Sequence, residues 1–324
     1  MTILAGDIGG TSTRLAFFAV ADGQLRSVAE MTYRSREHQS LNEIVAHFVA
    51  AQGRPIAAAA FGIAGPVRGG KVETPNLAWT IDAAELARDL RLPTVALLND
   101  LEANASGIAV LAPHDFEVLN GGAADAAGNQ AVISAGTGLG EAGLYWDGRQ
   151  HRPFASEGGH GDFAPRTPLE AELLRYLLGR FERVSYERVL SGPGLHNLYQ
   201  FLRDTGRGTE LPRVAEEMRE QDSAAVIARA ALAGESELCV SALDLFVALY
   251  GAEAGNLALR MMATGGVYIG GGIAPKILDR LKGPAFMQAF VAKGRMRSLL
   301  ESIPVRVIKN DRTALLGAAR YAAR

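Results

Sequence analysis

Two glycine-threonine turns, each set between β-forming runs, hold the densest chemistry in this chain. The first is Gly6-Asp7-Ile8-Gly9-Gly10-Thr11, followed through Ser12, Thr13 and Arg14 by Leu15-Ala-Phe-Phe18. The second is Gly136-Thr137-Gly138-Leu-Gly140, entered from Ala131-Val-Ile133. Glycine at a turn admits positive φ and lets a ligand come close to backbone N–H groups. Successive N–H groups form an anion nest, and a threonine hydroxyl adds a donor for a phosphate oxygen. Two turns of one design suggest a clamp on a polyphosphate. Asp7, beside the first, can hold a hydrated Mg²⁺ that bridges phosphates; an Asx turn steadying the hairpin is the alternative. Gly270-Gly271-Gly272, after the strand-like Val267-Tyr-Ile269, offers a surface without side chains for a base or ribose, or else tight strand packing.

Other polar groups sit at places where functional residues occur. Asn99-Asp100 closes the strand-like Thr94 to Leu98 run, and α/β proteins put ligand chemistry at such strand ends. Glu157-Gly-Gly-His160, with Asp162 beyond, is a polar pair in a flexible loop; its glycines argue against the helix that a Glu-x-x-His metal site needs, and no second histidine cluster completes one. Glu187, taken alone, reads as a surface helix acid. Two familiar patterns are decoys. Gly65 to Lys71 has Walker A spacing, but Val72 stands where Ser or Thr must hold Mg²⁺, and Glu73-Thr74-Pro75 is a poor helix start. Gly138-Leu-Gly140-Glu-Ala-Gly143 has the dinucleotide spacing, yet it runs into Leu144-Tyr-Trp146, which is strand-like rather than helical.

The elements that must position these groups alternate. Ile3 to Asp7, Arg14 to Val20 and Leu25 to Tyr33 read as an antiparallel meander. Ser40 with Glu43 is a capping box ahead of the apolar face Leu41, Ile44, Val45, Phe48 and Val49, with His47 off that stripe in solvent. A strand over Ile56 to Ile63, a helix starting at Asp82, and a helix from Leu101 to Leu111 follow. Pro113 and the Gly121 to Gly128 stretch mark a transition into a helix-rich region. There Thr167-Pro168 with Glu170 starts one helix, and Ala224 to Leu232 and Leu238 to Tyr250 supply others. Val305 to Ile308 returns to strand and Thr313 to Ala323 to helix, a unit that can pack back on the N-terminal domain. At 324 residues two domains are expected: 1–110 completed by 302–324, and 111–301. The similar turns near 9 and 137 fit two related halves.

Composition sets limits. Apolar residues are 48% and charged residues 21%, with a formal net charge of −2, which gives no general attraction for nucleic acid or anionic membrane. Cys239 is the only cysteine, so neither an intramolecular disulfide nor a multi-cysteine zinc site is available. The N-terminus lacks the basic and apolar pattern of a secretory signal. A cytoplasmic protein is the expectation.

These segments together resemble bacterial glucokinases of the non-ROK type, within the superfamily of actin, heat-shock chaperone ATPases and sugar kinases. The resemblance runs nearly end to end. It rests on Gly6 to Thr11 with Arg14, Leu98-Asn-Asp100, Ala135-Gly-Thr-Gly-Leu-Gly140, Glu157-Gly-Gly-His160 with Asp162-Phe-Ala-Pro165, Glu187-Arg-Val-Leu-Ser-Gly-Pro-Gly194 and Gly270-Gly-Gly-Ile-Ala-Pro275. It implies a two-domain, actin-like (ribonuclease H-like) α/β fold with a ligand cleft between domains. Gly6, Asp7, Ile8, Gly9, Gly10 and Thr11 would form the first phosphate turn, Gly136, Thr137 and Gly138 the second, and Gly270, Gly271 and Gly272 would flank the adenosine. Asn99, Asp100, Glu157, His160 and Glu187 would hold glucose, with Asp100 as base and Asp7 holding Mg²⁺ through water. Ser12-Thr13 and Ser134 depart from the residues common at those positions, which leaves nucleotide preference open. ATP, Mg²⁺, D-glucose and a homodimer follow from the family.

Ionised carboxylates accept from vicinal hydroxyls in pairs, and Asn and His fill the remaining geometry. Phosphoryl transfer needs in-line positioning, charge stabilisation and a base near the attacking oxygen. The expected activity is ATP-dependent phosphorylation of glucose at its 6-hydroxyl, with another hexose or an amino sugar as the nearest alternative. A sugar-sensing regulator on the same scaffold would carry a DNA-binding segment, and only five residues precede Gly6. A glycosidase using two of the acids would leave both turns unexplained. A chaperone-type ATPase would need a substrate domain after residue 324.

Overall fold

The computed structural model describes residues 1–21, 24–74 and 77–324; Pro75, invoked above against a Walker A loop, lies outside them. Two compact units emerge. The first comprises Met1–Pro113, Arg152–Ala155 and Asn310–Arg324, the second His114–His151 and Ser156–Lys309.

In the first unit, Thr2–Ile8 (β1) pairs antiparallel with Ser12–Ala21 (β2), which pairs with Gln24–Arg34 (β3). On its other side β1 runs parallel to Ala58–Ile63 (β4), and β4 to Ala96–Asn99 (β7). Lys71–Glu73 (β5) and Thr80–Asp82 (β6) form a separate ribbon, so the sequence after Gly65 enters a strand and not the helix a Walker A loop requires. Strands β4 and β7 begin two residues later than the apolar runs suggest. Strand alternation divides β1 between two cores. Leu4 and Ile8 face Phe17, Phe48 and Phe61, beside Leu41–Gln52 (α1). Ile3 and Ala5 face Leu315 and Ala318 of Thr313–Ala322 (α12). Helix starts follow local chemistry: the Ser40 hydroxyl accepts from Glu43 N–H at 3.2 Å, and Asp82 caps Ala83–Leu90 (α2) through the Ala84 N–H at 2.8 Å. His47 is exposed, with its ring edge-on to Tyr33 at 6.0 Å.

Asp100–Gly107 (α3) stops short of the helix expected to reach Leu111, passing into a 3-10 turn at Ile108–Val110. The cause is packing. A Cβ on Gly107 would overlap the Thr313 carbonyl oxygen, and one on Gly317 the Ala103 carbonyl oxygen, so α3 and α12 cross with backbone against backbone.

In the second unit, Gln130–Ala135 (β9) pairs antiparallel with Leu139–Trp146 (β10) and parallel with Gly266–Gly270 (β12). Strand β12 runs parallel to Val305–Ile308 (β13), and Phe116–Asn120 (β8) closes that edge antiparallel. The order β10-β9-β12-β13 repeats β2-β1-β4-β7: a hairpin, then two parallel strands. His151–Ser156 (β11) follows β10 in the chain. The helices are Pro168–Leu178 (α4), Gly192–Asp204 (α5), Pro212–Glu220 (α6), Ser223–Leu232 (α7), Glu237–Met261 (α8), Leu278–Leu281 (α9), Pro284–Val291 (α10) and Arg297–Ser302 (α11). Thr167 caps α4 through the Glu170 N–H. Helix α8 runs well past Tyr250, the last residue of the apolar run read from the sequence. Gly251 and Gly255 lie against the carbonyls of Phe286 and Phe290, so they admit a close crossing with α10. Among the described residues α8 alone has the length and apolarity to cross a membrane; here it is 72% buried within the protein, as the core helix of its unit.

The α3–α12 crossing yields a stability test. Gly→Ala in an exposed helix gains about 0.5–1 kcal/mol, but Gly317→Ala should destabilise by about 1–3 kcal/mol through overpacking. Urea unfolding measures it, and unchanged or raised stability would contradict the close crossing.

Candidate active site

The first turn is a strand connection pinned from below. Gly9 N–H donates to the Ser12 carbonyl at 2.9 Å, and Ser35 N–H to the Thr11 carbonyl at 3.1 Å. The Ser35 hydroxyl donates to the Gly9 carbonyl at 2.8 Å and lies 3.0 Å from that of buried Thr13. Sequence reading missed Ser35, which lies over twenty residues away with no motif around it. Gly6 and Ile8 belong to β1; a Cβ on Gly6 would crowd Phe61, Ile8 and Leu15. Gly9, Gly10, Gly136 and Gly138 all have φ outside the left-handed region. The positive φ that glycine admits is therefore not used at these four positions.

Asp7 lies on the β1 face opposite Leu4 and Ile8, across from Arg14 on β2. Burial pushes its carboxyl up to about 6; Arg14 opposes that and Asp311 adds to it. Arg14 itself binds Asp311, 3.1 Å to the carboxylate and 3.2 Å to the carbonyl. Asn99 ends β7 and caps α3: its Oδ1 accepts from Leu101 N–H at 3.0 Å and its Nδ2 donates to the Gly65 carbonyl at 3.1 Å. Asp100, next in line, also accepts from Leu101 N–H at 3.0 Å. Register sets Asp7 against Gly62 and Gly62 against Leu98. Asp7 and Asn99-Asp100 thus share the C-terminal edge of the parallel strands, two strand spacings or roughly 10 Å apart.

In the second unit the turn Gly136-Thr137-Gly138 is held on three sides. Gly136 N–H donates to the Gly138 carbonyl at 2.8 Å, Gly192 N–H to the Gly136 carbonyl at 2.8 Å, and Ile273 N–H to the Ala135 carbonyl at 3.3 Å. Gly271, at φ +83°, has no space for a Cβ against the Ala135 carbonyl, and Gly270 none against the Ser134 hydroxyl. Of the third glycine cluster, Gly272 reaches a cavity of about 1020 Å³ that Gly136 and Thr137 also line. Its further walls are Ala224, Ala225 and Ala228 of α7, Ile273 and Ile277, with Asp222, His196 and Lys276 as polar points. An apolar slot with a few polar groups, opening on a glycine-threonine turn, suits a flat base joined to phosphates. The alanines gave no signal in sequence beyond a packed helix.

The acids of this unit converge on the start of β10. Glu187 lies in a 3-10 turn, Tyr186–Arg188, and its Oε2 accepts from Leu139 N–H at 2.9 Å. A Cβ at 138 would displace that carboxylate from its present place. The isolated reading of Glu187 as a surface helix acid is thereby corrected. Glu157 and His160 flank a 3-10 turn, 4.0 Å apart and more than half exposed. Gly159 seats this turn on the Leu139 carbonyl, where a Cβ would overlap. Asp162 turns instead to Arg183, at 2.5 Å.

A family model described as Glucokinase matches residues 4–324. The glucokinase of Nostoc sp. is 44% identical, with 99% of each chain covered. That of Tolumonas auensis is 38% identical over 98% of this chain and 96% of its own. This chain belongs to the glucokinase family. It is accordingly an ATP-dependent hexose kinase that phosphorylates glucose. The solved glucokinase from an Antarctic psychrotroph superposes with a TM-score of 0.86 at 32% identity, covering 99% of this chain and 98% of that one. A ROK family glucokinase from Streptomyces griseus, in complex with glucose and AMPPNP, shares the fold at a TM-score of 0.67 and 21% identity, covering 100% and 99%. The glucokinase architecture is thus that of the actin-like ATPases.

Asp7 makes a pH prediction. Its folded value of about 6 lies above the ordinary 3.8, so its contribution to stability is complete below pH 3.8 and lost as pH rises through 6. In protein free of metal and nucleotide, Asp7→Asn should be more stable than the parent above pH 6, by roughly 2–3 kcal/mol. The gap should close below pH 4. Urea titrations across that range measure it, and a variant less stable at every pH would contradict the assignment.

Proposed function

We propose that this kinase transfers the γ-phosphoryl group of ATP to the 6-hydroxyl of D-glucose, with Asp100 as general base. The bond formed joins the sugar's O6 to the γ-phosphorus, the bond broken links that phosphorus to the β–γ bridging oxygen, ADP leaves, and the hydroxyl proton passes to Asp100. The observation that carries this reading is the gathering of Gly136, Thr137 and Gly272 around one cavity with room for a nucleotide, with Glu187 and the Glu157–His160 turn seated on the adjoining strand. Thr137 and the turn N–H groups take phosphate oxygens, as do the N–H groups of Gly10 and Thr11. Asn99, Asp100, Glu157, His160 and Glu187 accept from and donate to the sugar hydroxyls.

The chemistry of Asp7 fits a magnesium ion. Burial disfavours its charge beyond what Arg14 offsets, and a cation held through water would favour the ionised form. Mg²⁺ keeps most of its waters and takes one or two carboxylates. Asp7 would hold such an ion, which would supply positive charge against the charge that develops during transfer. The family resemblance also supports a cytoplasmic homodimer acting in glycolysis.

Coupled ADP release over a panel of sugars tests the substrate: glucose should give the fastest turnover, with phosphate on O6 of the product. Asp100→Asn should lower kcat by about 10²-fold or more while glucose still binds. Near-parental turnover in that variant would remove Asp100 from the base role.

A further inference from the structure

The transfer chemistry leaves three buried acids in the second unit unused, Glu141, Glu170 and Glu253, and of these Glu141 lies under the glycine loop. Glu141 is the third residue of β10 and its side chain is 1% exposed. Its carboxyl lies directly beneath Gly158, where a Cβ would overlap Oε2. Oε2 is 3.6 Å from the Arg260 guanidinium, which also pairs with Glu253, fully buried on α8. Oε1 is buried without a hydrogen-bond partner among the described residues. An ionised carboxylate so placed would be a second buried negative charge sharing one cation, which protein interiors strongly disfavour. Burial, and then the charge of Glu253, push Glu141 up to about 8 against the pull of Arg260. Its carboxyl is thereby held toward the uncharged form, as a wedge under the loop.

We propose that Glu141 is a positioning residue for sugar binding, lodged beneath Gly158 so as to set the height of Glu157 and His160 above β10. The proposal rests on the reading of Glu157 and His160 as sugar ligands. A smaller residue would leave a void into which the glycine loop sinks, and an ionised carboxyl would demand water and lift the loop. Groups facing this cluster come from several elements. Glu253 accepts from Asn256 Nδ2 at 2.8 Å, and Asn256 also donates to the Tyr186 hydroxyl at 3.0 Å. Lys293 donates to the Asn256 carbonyl oxygen at 2.5 Å and the Ala252 carbonyl at 2.9 Å. Its ammonium is lowered to about 8, by burial and then by Arg166, with Glu253 and Glu170 opposing and Arg260 assisting. Lys293 therefore titrates in the same range as Glu141, and the test must separate them.

The experiment measures kcat and KM for glucose and ATP from pH 6 to 9.5 in the parent, Glu141→Ala, Glu141→Gln and Glu157→Gln. Glu141→Ala should raise the glucose KM about 10-fold or more, the scale of an ångström-sized misplacement, with the ATP KM unchanged within about twofold. The parent's glucose KM should rise above pH 8, and Glu141→Gln should restore a near-parental glucose KM at pH 7 and abolish that rise. A parental glucose KM in Glu141→Ala would overturn the proposal, as would a rise above pH 8 that persists in Glu141→Gln, which would belong to Lys293. Should Glu141→Ala fail to fold, the Glu141→Gln profile decides. An unchanged glucose KM in Glu157→Gln would instead remove the sugar-site reading; a raised one beside a parental Glu141→Ala would remove the positioning role alone.

Discussion

The backbone of Leu139 serves two neighbours at once. Its N–H donates to Glu187 at 2.9 Å, and its carbonyl oxygen occupies the space where Gly159 would otherwise carry a side chain. One residue further back, Gly138 gives up its side chain to the same Glu187 carboxylate. A single step of chain leaving the second turn thus fixes the heights of Glu187 and of the turn that carries Glu157 and His160. Preorganisation of this kind matters because phosphoryl transfer draws its rate from positioning and electrostatics more than from covalent chemistry.

The first unit solves its positioning problem with sheet topology. Asp7 and Asp100 reach one edge because β1, β4 and β7 all run parallel and end there. The edge is held from behind by close glycine contacts: Gly62 against the Ala103 methyl, and Gly107 and Gly317 against backbone between α3 and α12. At these three positions glycine supplies proximity rather than unusual torsion.

Local chemistry made much of this legible in the sequence. The caps at Ser40, Asp82 and Thr167, the opening meander, and the strand character of Leu144 to Trp146 depend on neighbours in the chain, and each is found where its residues place it. What escaped depends on partners distant in sequence. Glu187 and Leu139 are far apart along the chain, as are Ser35 and Gly9 or Glu141 and Gly158. No periodicity within a segment reports such pairings. The apolar run ending at Tyr250 understated a helix that continues to Met261, and the turn glycines do not use the positive φ that glycine admits.

The seating of the Glu157–His160 turn on Leu139 can be disturbed without touching any group that meets the sugar. Gly159→Ala adds one methyl group at the point of backbone contact, and calorimetric titration with glucose reads the consequence. The account predicts a protein that remains folded by circular dichroism but binds glucose about 10-fold or more weakly, since the added carbon must lift the turn. A glucose affinity equal to that of the parent would contradict the claim that Leu139 sets the geometry of the sugar-holding residues.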